Sequence, residues 1–102
     1  MVNLSNQNLN DNDLKEIVEA LLKQEIRFST LNLSSNNITD QGVLYLAELL
    51  IKNKCIINVN LKNNSIAREG ALVLKNVLIE NSTIIKLNLS SNKISGDLIE
   101  GF

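Results

Sequence analysis

The chain contains no histidine. That removes the commonest general base and the commonest metal ligand together. It has one cysteine, Cys55, so no internal disulfide is available. Aromatic residues make up only 3% of the chain, which leaves no platform for stacking nucleic-acid bases. The net charge is −1, with neither the basic excess that draws nucleic acid or anionic membrane nor an acidic tail. No apolar run approaches the roughly 18 residues needed to cross a bilayer. The opening Met1-Val-Asn-Leu-Ser5 lacks the charged-then-apolar pattern of a signal peptide. These absences point away from enzymes, metal proteins, nucleic-acid binders and membrane proteins. They predict no cofactor, no metal and a cytoplasmic setting, which for a secreted effector would be the cytosol of a host cell.

The chain is rich in asparagine, at one residue in six, and in a single recurring phrase. Thr30-Leu-Asn-Leu-Ser-Ser-Asn-Asn-Ile38, Asn58-Val-Asn-Leu-Lys-Asn-Asn-Ser-Ile66 and Lys86-Leu-Asn-Leu-Ser-Ser-Asn-Lys-Ile94 are the same segment, with Leu33, Leu61 and Leu89 spaced 28 residues apart. A fixed period in the twenties marks a stack of equivalent units rather than one irregular core. The 102 residues make a single domain of repeats at about 1–28, 29–56 and 57–84, with a truncated fourth at 85–102.

Within each unit the positions divide by chemistry. Leu31/Leu33, Val59/Leu61 and Leu87/Leu89 alternate with polar residues, as in a half-buried strand, and Val2/Leu4 form an earlier copy. Phe28, Ile56 and Ile84 precede the strands at constant spacing and enter the same core layer. Asn36, Asn64 and Asn92 follow the strands, where an amide with two donors and an acceptor can satisfy the backbone of a turn; stacked, they would form a ladder. Apolar residues at helical spacing come next: Leu14, Ile17, Val18, Leu21 and Leu22; Val43, Leu46, Leu49 and Leu50; Ala71, Leu74, Val77 and Leu78. Asn10 or Asp11, and Thr39 or Asp40, suit the helix N-caps, with Ser65 as a substitute where Ala67 replaces the threonine. Gly42 and Gly70 share a position, which suggests close approach of neighbouring helices. Leu4 to Leu33 is one residue longer than the other intervals, and the spacing puts the extra residue in the loop after the first helix. Gln7 stands where the later units have the ladder asparagine.

The segments Phe28–Ile38, Ile56–Ile66 and Ile84–Ile94 resemble the leucine-rich repeat family, in its ribonuclease-inhibitor-like subtype. The resemblance implies an α/β fold: a right-handed solenoid, or short horseshoe arc, with about four parallel strands on the concave side and three helices on the convex side. It implies a non-catalytic module that binds another protein. The chain would then be a fragment or small member of a bacterial effector-like or regulatory repeat protein. Family analogy adds regulation of a small GTPase or of a nuclease as an alternative.

The alternation of the strands places Asn32, Ser34, Asn58, Asn60, Lys62, Lys86, Asn88 and Ser90 on the outward face, as candidate partner-binding residues. Asn3, Asn32, Asn60 and Asn88 form a column there, whose amides would either bond to one another or serve recognition. The face lacks the Trp, Tyr and Arg anchors typical of tight interfaces. Solenoid ends expose core unless capped. Leu98, Ile99 and Phe102 are therefore candidates for a C-terminal lid, or for a sticky end through which two chains pair as a homodimer.

Overall fold

The computed structural model describes residues 1–80 and 83–94. The elements run β1 (Val2–Asn3), α1 (Asp11–Gln24), β2 (Thr30–Asn32), α2 (Asp40–Lys52), β3 (Asn58–Asn60), α3 (Arg68–Glu80) and β4 (Lys86–Asn88). The four strands form one parallel sheet in sequence order. Register follows the repeat: Asn3, Asn32, Asn60 and Asn88 are successive neighbours, as are Val2, Leu31, Val59 and Leu87. Each helix carries the chain from one strand to the next, so α1, α2 and α3 stack side by side behind the sheet.

The strands are only two or three residues long because the chain soon bends away. Asn6, Ser35, Asn63 and Ser91 occupy one repeat position, and each has a left-handed backbone with φ between 55° and 59°. Stacking continues through the bend all the same. Ser35 N–H donates to Lys62 O at 2.8 Å, and Asn63 N–H donates to Ser90 O at 3.0 Å. Beyond the bend, Asn37 N–H reaches Leu9 O and Ser65 N–H reaches Ile38 O, both at 2.8 Å.

The core lies between sheet and helices. Leu31, Leu33, Ile38, Leu46, Ile56, Val59, Leu61 and Ile66 are buried there, with Leu14, Leu50 and Leu74 from the helices. Each such side chain contributes about 1.5–3 kcal/mol by leaving water. Burial weakens towards the outer units, where Val2, Leu4, Leu87 and Leu89 are half-buried.

Helix starts differ between units. Asn10 caps α1 through a capping box, its Oδ1 accepting from Asp13 N–H at 2.8 Å while Asp13 Oδ2 accepts from Asn10 N–H at 3.0 Å. Thr39 caps α2, its hydroxyl oxygen accepting from Gln41 N–H at 3.3 Å. Ser65 does not cap α3. Instead Asp40, from the preceding unit, accepts the Ala67 N–H at 2.7 Å. The extra residue of the first unit is absorbed by α1 itself, which has 14 residues against 13 in α2 and α3 and ends on left-handed Glu25. The spacing had pointed to the loop; one more helical residue and a left-handed cap use the same length while keeping a backbone hydrogen bond.

Candidate functional site

The three crossover helices lie behind the sheet, and among the described residues none covers its other face. The outward row formed by Thr30, Asn58 and Lys86 runs beside the row of Asn3, Asn32, Asn60 and Asn88, and Ser5, Ser34, Lys62 and Ser90 follow it. Thr30, Asn32, Asn58, Asn60, Lys86 and Asn88 floor a shallow open depression of about 600 Å³ that Met1 and Ile85 also border. Of the candidate binding residues, Asn32, Asn58, Asn60, Lys86 and Asn88 line this depression, while Ser34, Lys62 and Ser90 stand two positions beyond the column asparagines and outside it.

The amides of the Asn column do not bond to one another. Asn32 Oδ1 accepts from Ser34 N–H at 3.0 Å and from the Ser34 hydroxyl at 2.7 Å. Asn3 does the same with Ser5, and Asn88 with Ser90. Asn60 Oδ1 accepts from Lys62 N–H at 3.0 Å. The residue two positions on has just left the strand ladder, and the nearest acceptor for its N–H is the asparagine of its own chain segment. Because a backbone N–H can only donate, the oxygen of each amide is fixed and Nδ2 is turned away from the strand.

The turn asparagines are placed differently. Asn64 is buried; its Nδ2 donates to Leu61 O at 3.1 Å in its own unit and to Leu33 O at 3.0 Å in the preceding one. Its Oδ1 accepts from Ile38 N–H at 3.1 Å. Asn92 repeats this with Leu89 O, Leu61 O and Ile66 N–H. Asn36 does so with Leu33 O and Leu4 O, and accepts from both Gln7 and Leu9 N–H. The Gln7 side chain makes only a 3.3 Å contact to Ser5 O. Among the described residues no buried side-chain nitrogen or oxygen lacks a partner.

The sequence reading missed a second inter-unit link. Asp11 accepts from both the N–H and the hydroxyl of Thr39, and Asp40 accepts from Ala67 N–H. Gly42 and Gly70 are small because of these carboxylates: a Cβ at Gly42 would collide with Asp11 Oδ1, and one at Gly70 would lie 2.5 Å from Asp40 Oδ1. The signal was present in the shared register of Asp11 and Asp40, at which position the third unit has Arg68.

Elsewhere the helices carry ordinary surface chemistry. Lys52 pairs with Glu48 at 2.9 Å, and Lys15 sits 5.8 Å from the centre of the Tyr45 ring. Cys55 is exposed, and its backbone N–H is held by Asn53 Oδ1 at 2.7 Å. Among the described residues no three His, Cys, Asp or Glu side chains cluster as a metal site, and no helix is long and apolar enough to cross a membrane. Leu98, Ile99 and Phe102, the candidates for a lid or sticky end, lie outside the described residues.

The family described as Leucine Rich repeat matches residues 28–47 and 80–97. No curated protein matches the chain. Among solved structures the chain is similar to one described as leiomodin-1 actin-binding site 2, with a TM-score of 0.82 and 24% identity. The match covers 98% of this chain and 59% of that one. Two repeat matches, one parallel sheet backed by stacked helices and this likeness of fold identify the architecture as a short leucine-rich-repeat arc.

Proposed function

We propose that this leucine-rich-repeat arc is a protein-binding scaffold that works without catalysis. One observation carries the reading: the crossover helices lie behind the sheet, which leaves a face of outward side chains with no insertion over it among the described residues. Asn32, Ser34, Asn58, Asn60, Lys62, Lys86, Asn88 and Ser90 form the contact surface. Asn36, Asn64 and Asn92 hold the turns that follow its strands. The actin-binding description of the similar solved structure supports a protein partner for this architecture. The exposed, unpaired Cys55 fits a reducing compartment, in keeping with a cytoplasmic role.

Capture of partners by wild-type protein and by a variant with Asn60 and Lys62 both replaced by alanine tests the reading. The variant should recover less of each specific partner. Equal recovery by both would remove the open face from the interaction.

A second reading rests on two exposed isoleucines, one near the end of α3 and one just before β4. Ile79 and Ile85 are 74% and 76% exposed, far more than any other isoleucine among the described residues. Apolar surface of this kind favours association with another copy of the chain. Sedimentation at rising concentration tests it, and a monomer throughout, unchanged by Ile79→Ser and Ile85→Ser, would dispose of it.

A further inference from the structure

The open face carries a row of hydrogen-bond donors. Each column amide has its oxygen engaged by the residue two positions on. Among the described residues, Nδ2 of Asn3, Asn32, Asn60 and Asn88 donates to no protein group, so each presents two N–H bonds outward. The hydroxyl protons of Ser5, Ser34 and Ser90 are spent on the same amide oxygens, so beside the amide row these serines present only acceptor lone pairs. Lys62 and Lys86 are the charged side chains of the face among the described residues, and both are exposed.

Charge is segregated to match. Among the described residues every Asp and Glu lies on a helix or at Glu25, where α1 ends. The net charge of −1 therefore conceals a sheet face that, among the described residues, carries two lysines and no carboxylate side chain. Neighbouring strands lie about 4.8 Å apart, so the amide row from Asn3 to Asn88 spans about 14 Å. Four or five extended residues cover that length.

We propose that this face binds an acidic, extended segment of a protein partner, whose carboxylates accept from the amide row and lie beside Lys62 and Lys86. This rests on the reading of the open face as the binding surface and adds the chemistry of what it binds. A carboxylate offers acceptors only, and its hydrogen bonds to neutral amides are charge-assisted, roughly twice as strong as those of a neutral acceptor. A phosphate backbone offers acceptors too, but binding it draws on many cations and on stacking aromatics, whereas this face has two lysines and, among the described residues, no aromatic.

The test uses the whole chain, nitrogen-15 labelled, titrated with a short peptide of alternating Glu and Ser, with its Gln-for-Glu counterpart and with oligothymidylate. The side-chain NH₂ signals of Asn32, Asn60 and Asn88 report contact directly. The Glu peptide should move them, with an affinity that falls as salt rises. Asn60→Asp keeps the oxygen that accepts Lys62 N–H and replaces the outward donors with a negative charge. It should weaken the Glu peptide by about tenfold or more. Lys62→Gln with Lys86→Gln changes no internal bond and should weaken it as well, independently of the folding of Asn60→Asp.

The outcomes separate the two layers of the claim. Equal binding of the Gln peptide at the same amides would overturn the acidic specificity and leave the open face as the site. Oligothymidylate bound more tightly than the Glu peptide at those amides would overturn the partner class. Signals moved only on helix residues, or no binding of the Glu peptide, would overturn the proposal, and the former would overturn the site with it.

Discussion

The Asp40 carboxylate stands where a side chain at residue 70 would begin. A Cβ built on Gly70 would lie 2.5 Å from Asp40 Oδ1, the same oxygen that accepts the Ala67 N–H at 2.7 Å and so holds the start of the next helix. Asp11 has the same relation to Gly42 and Thr39. The link is electrostatically apt, since a carboxylate near a helix N-terminus faces the positive end of the macrodipole. It ties consecutive helices at their N-terminal ends, while the turn asparagines tie consecutive turns.

Gly70→Ala should therefore destabilise the fold. Alanine gains about 0.5–1 kcal/mol over glycine within a helix. Against that, the added methyl displaces the Asp40 carboxylate, loses a charge-assisted bond worth about 1.5–3 kcal/mol and presses on Ile66 Cγ2 at 2.8 Å. The loss wins, and a net destabilisation of about 1–2 kcal/mol should appear in urea unfolding. Asp40→Ala combined with Gly70→Ala should cost less than the two single changes added together, because each removes the same bond. Strict additivity in that cycle would show that the contact is not the cause.

Asn64→Ala should be more damaging. It strips a buried donor from Leu33 O and Leu61 O and a buried acceptor from Ile38 N–H. Backbone groups left unpaired away from water cost about 1–3 kcal/mol each. A loss of about 3 kcal/mol or more is expected. Asn92→Ala should cost less, because Asn92 sits at the outer unit and is only half-buried. Equal costs at the two sites would mean that burial does not set the value.

How much of this was legible beforehand depends on whether the repeat constrained it. The strand pairs at Leu31/Leu33, Val59/Leu61 and Leu87/Leu89 recur at fixed spacing, and so does the register of the sheet; a shift by one residue would turn every core side chain to the other face. The open-face residues followed from the same alternation. What the sequence left undecided was which of two adjacent polar residues turns to which neighbour. Asn10 and Asp11, like Thr39 and Asp40, are all competent caps; Asn10 and Thr39 cap their own helices, and the two aspartates reach the next unit. The orientation of the Asn32 amide was equally hidden, because it is set by one local N–H and not by the column it belongs to.

Lys52→Ala should be nearly silent. Its pair with Glu48 is an exposed i, i+4 contact on α2, worth about 0.3–0.5 kcal/mol and screened by salt. Unfolding in urea at low and at high salt should show a difference between wild type and variant below about 0.5 kcal/mol that shrinks as salt is added. A loss above about 1 kcal/mol would give the convex face a structural role that its geometry does not support.

Protection from hydrogen exchange should fall from the middle of the stack outwards. In a solenoid each unit is stabilised by its neighbours, so an outer unit can open while the inner ones stay closed. Leu61 N–H donates to Asn88 O and Leu33 N–H to Asn60 O, both beneath fully buried side chains, whereas Leu4 N–H reaches Asn32 O beneath half-buried Leu4. Leu33 and Leu61 should exchange slowest, with Leu4 faster. Leu61→Ala should then cost about 2–5 kcal/mol and raise exchange throughout the sheet, because it breaks the stack near its middle. Leu89→Ala should cost less and speed exchange chiefly in the last unit. Uniform protection from Leu4 to Leu61, with both variants affecting all amides alike, would show that the chain unfolds as one indivisible unit rather than from its ends.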